Sequence, residues 1–368
     1  MNDENLQKSF EAALQKTDEL LPEPPVNDYL GWKRYVNKPS AAPPAMPTDD
    51  EFRAMDPDSK RAFRRSRKIY HSKFGPLETD YLNKVLSDAI NLTASNYHLG
   101  PGARPGIVLD GLGTVGKSTI VMEIGRKYEK LIRKSLDLPD NLPTGSAYIP
   151  VAYISLPGNL SIKRFDARMV SYFNIPIPSK SSDIWLSEQI VTTARECGTS
   201  LVIVDDVHFV NMRSKDGIAV NNHFKYLASN ISATFLYAGI YLDKTLLMSE
   251  GASIENAHRS QTAGRFKRYR IEPYKKGSEP YASLIATFDS HLLLMNQKKG
   301  DLYETFGDYI HDRTNGFIGA ISNLLRTAAN LAIDNGTEKI SKSLLDSIRL
   351  DEASENHRLT TPNKGPRS

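Results

Sequence analysis

The sequence predicts an α/β fold in which a five-stranded parallel sheet is flanked by helices and followed by a smaller helical subdomain. Three observations carry this expectation. From about residue 79, short aliphatic runs bounded by turns alternate with stretches long enough for helices, the pattern of a parallel sheet covered on both faces. One of these runs, GIVLD at 106–110, passes through a glycine-rich turn straight into a long helical segment. From 279 onward the strand pattern stops and helical periodicity takes over.

Taken in order, residues 4–21 suit a short helix, whereas 22–47 hold Pro22, Pro24, Pro25, Pro39, Pro43, Pro44 and Pro47, which precludes a continuous helix and indicates an extended arm. Trp32, Tyr35 and Val36 interrupt that arm with apolar surface, so it is expected to lie against something. Thr48 and Glu51 have capping-box spacing. The segment from there to His71 carries Lys60, Arg61, Arg64, Arg65, Arg67 and Lys68, the densest basic cluster in the chain. Two readings of it stand side by side: a solvated helix face, or a contact for nucleic-acid phosphates or an acidic protein surface. A helix over 79–94 leads into strands at 106–110, 148–156, 201–205, 233–238 and 268–272. Helices near 279–295, 301–313, 317–335 and 341–350 close the fold, and the polar stretch from Asp351 reads as a disordered tail.

Composition narrows the function. The 368 residues include 40% apolar and 24% charged side chains, enough for one sizeable core and a second smaller one. The longest aliphatic run, LVIV at 201–204, is far too short to cross a bilayer, and the polar, acidic start MNDENLQKSF lacks the features of an export signal, so the cytoplasm is the expected compartment. The single cysteine, Cys197, excludes an internal disulfide and a multi-thiolate metal site. A net charge of +4 permits a polyanionic partner without demanding one.

The glycine-rich turn is the chain's strongest signal. Gly111 to Thr119 read GLGTVGKST, a GxxxxGK[ST] loop between a strand and a helix, the context that motif requires. Gly111 and Gly116 let the backbone approach a phosphate closely, and the intervening Gly113, Thr114 and Val115 offer further N–H groups. Lys117 neutralises β- and γ-phosphate oxygens, while Ser118 offers a hydroxyl to Mg²⁺ and Thr119 continues into the helix. A second acidic strand end is needed for the metal, and LVIVDD at 201–206 supplies Asp205. Asp206 stands where a water-orienting Glu is common; being one methylene shorter, it predicts slow or partner-dependent hydrolysis, and its alternative reading is a cap for the next turn. His208 reads as a packed or capping residue. With a further strand between the two phosphate motifs and no NKxD-type guanine signature, the arrangement is that of an AAA+ P-loop NTPase using ATP and Mg²⁺. The chain then divides into an arm and basic helix (1–78), an α/β nucleotide-binding core (79–277), a C-terminal helical lid (278–350) and a tail (351–368).

GPGARPGIVLDGLGTVGKS, LVIVDDVHFV, ATFLYAGIYL, GRFKRYRIEPY and TNGFIGAISNLLRTAANLAIDNG together resemble the TniB/TnsC group of AAA+ transposition ATPases over about residues 79–350. The resemblance implies an ATP-dependent regulator that assembles on duplex DNA as a ring or helical filament. It would mark the insertion target and recruit or stimulate a separate DDE transposase, with a target-selector protein as a further partner. It also implies roles by position. Tyr237 stands at the sensor position beside the γ-phosphate. Arg265, or failing that Arg259, reaches a neighbouring subunit's ATP, unless these are surface arginines in a loop. The helix around Gly316 to Gly319 lacks a sensor arginine, so Phe317 or Ile318 would lie near the adenine. Lys163, Arg164 and Arg168 on one helix, and Arg213 and Lys215 in a loop, face DNA or are solvated. Two other classes compete: a helicase loader or replication-initiation ATPase, and a signalling NTPase. The short stretch after residue 350 lacks the winged helix of an origin binder and the effector domains of a signalling switch.

Overall fold

The structure is a computed structural model that describes residues 25–100, 102, 104–136, 141–156, 161–207, 215–240, 242, 266–352, 354 and 355. The helix expected over 4–21 and the tail after 355 lie outside these residues. Elements run in the order α1 (Tyr29–Asn37), α2 (Asp49–Ala54), α3 (Pro57–Lys73), α4 (Asp80–Tyr97), β1 (Gly106–Gly111), α5 (Lys117–Leu136), β2 (Val151–Ser155), α6 (Ile162–Tyr172) and α7 (Asp183–Glu196). They continue with β3 (Leu201–Asp205), α8 (Lys215–Ile231), β4 (Thr234–Gly239), β5 (Phe266–Ile271), α9 (Glu279–His291), α10 (Asp301–Thr314), α11 (Ile318–Asp334) and α12 (Lys342–Ser347).

All five strands are parallel, in the order β2-β3-β4-β1-β5. The central strands are aliphatic and buried on both faces, as a sheet covered on both sides requires: Ile107, Val108 and Leu109 of β1 and Leu201 to Val204 of β3 are wholly inaccessible. The edge strand β5, FKRYRI, instead exposes Lys267, Arg268 and Arg270 along its length, charges that discourage further pairing. Because the strands are parallel, the loop after β1 and the acidic end of β3 open at the same, carboxyl end of the sheet, with β4 between them.

Two hydrophobic cores form, one around the sheet and one among the C-terminal helices. The segment ahead of the sheet contributes to both. Between Pro25 and Pro39 the chain has room for α1, capped by Asp28, whose carboxylate accepts the Gly31 N–H at 2.7 Å. The arm is therefore helical in its middle rather than extended throughout. Trp32 and Val36 enter the sheet core, while Tyr70, Phe74 and Leu77, from α3 and the segment after it, enter the helical core. The Thr48–Glu51 capping box forms and starts α2.

The basic cluster is sorted by α3. Arg67 is fully buried and forms a bidentate pair with Glu338, at 2.6 and 2.8 Å, while also donating to the Leu293 carbonyl. Lys68 pairs with Asp334, Arg61 with Asp58, and Lys60 donates to the Arg53 carbonyl. A large part of the cluster thus ties the chain to itself. At the other end, Glu355 accepts the Leu350 N–H at 2.8 Å and pairs with Arg313, so the fold continues past the predicted boundary at Asp351.

Candidate functional site

The loop Gly111–Lys117 wraps the first turn of α5, so that helix presents its N-terminal amides to the same space. At Gly111 an added Cβ would lie 2.4 Å from the Ile271 carbonyl oxygen, and Gly116 has φ +91°, so glycine is required at both. Thr114 also takes a positive φ of 57°. The Lys117 ammonium folds back onto the loop, donating to the Gly111 carbonyl at 2.9 Å and the Leu112 carbonyl at 2.5 Å. Burial pushes its pKa down, and the carboxylates of Asp205, Asp110 and Asp206 push the other way. A cation that, among the described residues, donates to two carbonyls beside three acids is poised to exchange those carbonyls for phosphate oxygens.

Asp205 is 1% exposed at the end of β3. Burial raises its pKa and Asp206 adds to that, while hydrogen bonds from the Ser118 hydroxyl, the Tyr153 hydroxyl and the Asp206 N–H oppose it. A buried carboxylate facing a serine hydroxyl is a hard-oxygen pair of the kind that holds Mg²⁺, so these residues fit the metal the sequence implies. Asp206 has φ +62°, its carboxylate accepts the Ser155 hydroxyl at 3.2 Å, and it lines the cavity.

That cavity has a volume of about 920 Å³, large enough for a nucleotide. Gly113 to Ile120 form one wall. The others, apart from Ile318, were not legible in the sequence. Gly75, Pro76 and Leu77 close it from the N-terminal segment, Arg270 to Lys275 from the end of β5 and the segment after it, and Ile318, Gly319, Ser322 and Arg326 from α11. The lid touches the phosphate loop directly: the Gly319 N–H donates to the Thr114 carbonyl at 3.1 Å. Arg326 donates to the Ser72 and Phe74 carbonyls and lies 4.4 Å over the Phe74 ring, capping the carboxyl end of α3.

The remaining predicted residues are placed as follows. Tyr237 is a correction: its ring is buried among Phe224, Phe235 and Phe266, two residues before the end of β4, and lines no part of the cavity. Ile240, just after that strand, does. Of the two lid residues, Ile318 lines the cavity and Phe317 packs against the sheet core. On α6, Phe165, Met169 and Val170 are buried and Lys163, Arg164 and Arg168 exposed, with Lys163 near Asp183 and Arg168 donating to the Ser155 carbonyl at 2.9 Å. Lys215 opens α8. His208, Arg213, Arg259 and Arg265 lie outside the described residues. Among those that are described, no helix is long and apolar enough to cross a membrane.

The profile of the bacterial TniB protein family matches residues 89–276, just over half of the chain. No curated protein sequence matches. Among solved structures, the chain is similar to the Aeropyrum pernix Orc1 protein in complex with DNA, with 14% identity and a TM-score of 0.54 over 76% of this chain and 68% of that one. It is similar to Cdc6p from Pyrobaculum aerophilum, with 14% identity and a TM-score of 0.53 over 74% and 67%. A third likeness is to the Aeropyrum pernix Orc2 protein with ADPNP and ADP, at 13% identity and a TM-score of 0.53 over 76% and 70%. At such identities the likeness is one of fold. With the phosphate loop, the five-stranded parallel sheet and the family match together, the chain belongs to the TniB family and is an AAA+ P-loop ATPase.

Proposed function

We propose that this protein regulates DNA transposition: with ATP it assembles head to tail on duplex DNA, marks the insertion target, and recruits or activates a DDE transposase. The observation that carries the reading is the TniB match over the stretch holding both phosphate motifs. In this reading Lys117 and the loop amides bind the phosphates, Ser118 and Asp205 hold Mg²⁺, and Asp206 orients the attacking water. The bound metal would neutralise charge on the transferring phosphoryl group. Residues 79–277 act as the nucleotide-binding core and 278–350 as its lid. Arg265, with Arg259 second, serves a neighbouring subunit's site. Repeating such a heterologous contact gives a ring or an open helix, according to whether the rotation closes. Lys163, Arg164 and Arg168 meet DNA phosphates, and a row of subunits multiplies these few contacts into cooperative, salt-sensitive binding. The Orc1 structure contains DNA, which lends support to a nucleic-acid partner for this fold.

The test is electron microscopy and light scattering of the protein with duplex DNA in ATP, a non-hydrolysable analogue and ADP, beside Lys117→Ala. Assemblies are expected with the first two nucleotides and not with the variant. A strictly monomeric wild type in ATP and DNA at low salt overturns the reading, as does normal DNA binding by Lys117→Ala. Stimulation by a replicative helicase in place of a transposase would favour a loader.

A further inference from the structure

Tyr153 sits at the centre of β2, paired in register with Ile203, so Asp205 lies two residues further along β3 on the same face of the sheet. A tyrosine is long enough to span that diagonal, and its hydroxyl donates to Asp205 Oδ2 at 2.9 Å. The other carboxylate oxygen, Oδ1, accepts the Asp206 N–H at 2.9 Å. The carboxylate is thereby gripped from both sides.

The Tyr153 ring is itself held. Trp32 of α1 lies parallel to it, with ring centroids 5.8 Å apart and planes 12° from parallel. The indole is wholly buried, and its Nε1–H donates to Glu129 on α5 at 2.7 Å. Space for it exists because position 125 is glycine, where a Cβ would come within 2.7 Å of the indole. A second bond, from the Tyr35 hydroxyl to Glu123 at 2.7 Å, fastens α1 to α5, the helix that begins at Lys117. The bonded N–H and the space at Gly125 fix the indole in position and angle.

We propose that Tyr153 is a positioning residue for the Asp205 carboxylate and that Trp32 holds Tyr153 in place, so that α1 belongs to the ATPase site. The inference rests on the reading of Asp205 as the magnesium carboxylate. A carboxylate that loses one of its fixing bonds turns away from the direction the metal requires, and losing an outer partner of this kind typically costs 10- to 100-fold in metal affinity. Tyr153→Phe removes the hydroxyl and leaves the ring against Trp32. Trp32→Phe leaves the hydroxyl and loosens the ring.

The experiment measures binding of a fluorescent ATP analogue to the full chain, first in EDTA and then as Mg²⁺ is added, with Mn²⁺ binding by electron paramagnetic resonance as a direct readout. Tyr153→Phe should bind the analogue in EDTA within about twofold of wild type, yet need roughly 10-fold more Mg²⁺ for the half-maximal effect. Trp32→Phe should shift in the same direction by less, and the double variant should match Tyr153→Phe, because both act through one hydroxyl. Asp205→Asn is the control. If it leaves the Mg²⁺ dependence unchanged, the reading of the metal site itself fails. If it shifts that dependence while Tyr153→Phe does not, or if Tyr153→Phe weakens binding equally in EDTA and Mg²⁺, the inference is overturned and the metal site stands. Should Trp32→Phe not fold, Tyr153→Phe decides the hydroxyl's role, and Tyr35→Phe, which frees α1 from Glu123, replaces it with the same expected shift.

Discussion

Gly319 is where lid and phosphate loop touch, and replacing it with alanine separates folding from nucleotide binding. Its Cβ would stand 3.1 Å from the Thr114 carbonyl oxygen and 3.2 Å from the Thr114 Cβ, so the two elements must part by a few tenths of an ångström. The Gly319 N–H to Thr114 carbonyl bond, already 3.1 Å, lengthens with them. A bond of this type contributes about 0.5–1.5 kcal/mol, which at 25 °C corresponds to roughly 2- to 10-fold in affinity for a ligand that needs the lid seated. The stability of the fold should change little, because two terms of similar size oppose one another. Gly319 lies in the first turn of α11 with an ordinary helical φ, and glycine to alanine at such a position stabilises by about 0.4–1 kcal/mol through the unfolded chain. Thermal melts of the nucleotide-free variant should therefore stay near wild type, the gain through the unfolded chain offsetting the weakened Thr114 bond, while titration with a fluorescent ATP analogue should show weaker binding. Wild-type affinity in the variant would refute the argument that nucleotide binding needs the lid seated on the loop.

Three further outcomes are expected. Asp206→Asn should slow ATP turnover with nucleotide binding largely intact, since Asp205 is untouched; equal turnover would assign the water-orienting role elsewhere. Glu338→Gln leaves the buried Arg67 without its counter-charge and should cost about 3–5 kcal/mol in urea unfolding, whereas Arg67→Met with Glu338→Leu should recover most of it, because neither charge then needs solvation. The third concerns acid. His71 is buried, bonded to Asn330 at one ring nitrogen and to the Leu293 N–H at the other, and burial pulls its pKa down from 6.5 to about 4, with Arg67 and Arg326 adding and Asn330 and Glu338 opposing. Since the unfolded chain takes up the proton first, this stability is fully present above pH 6.5 and is lost as pH falls toward 4, up to about 3 kcal/mol. His71→Gln should flatten the unfolding free energy across that window, and an unchanged slope would show that other groups carry it.

What was legible in the sequence was local. The phosphate loop is nine consecutive residues between a strand and a helix, and Asp205 ends a run of four aliphatics, so spacing alone reveals both. The walls of the cavity and the contacts around it come from segments joined only by folding: Arg326 of the wall meets the Phe74 carbonyl across a separation of 252 residues, and outside the cavity Arg67 meets Glu338 across 271. No periodicity reports such pairs. Tyr237 was misread for a related reason. β4 is buried on both faces throughout, so its pattern gives no sign of which side chain reaches the strand's open end. Prolines hid α1 because they flank it; between Pro25 and Pro39 nothing prevents a helix, and Trp32 was the available sign that one packs there. The basic cluster was ambiguous in sequence because a lysine or arginine bonded inside the fold and one facing solvent are written alike.

Asp206 shows how backbone and chemistry constrain one another at this site. Its φ of +62° is a conformation that aspartate and asparagine adopt far more readily than longer side chains, because a short polar group can bond to its own surroundings. Here the Ser155 hydroxyl takes that part, and the Asp206 N–H is spent on Asp205, fixing the metal carboxylate from the main chain. A glutamate would reach further toward an attacking water but would forgo the local bond that makes this turn affordable. The missing methylene is then the counterpart of a turn that holds Asp205 in place, and a firmly held metal carboxylate is obtained together with a short water-orienting arm. In the proposed function, slow intrinsic turnover follows from this turn, since the residue that orients the water is also the one that shapes it. Asparagine tolerates the same φ, so it changes the charge and leaves the turn, which is why it isolates the water-orienting role.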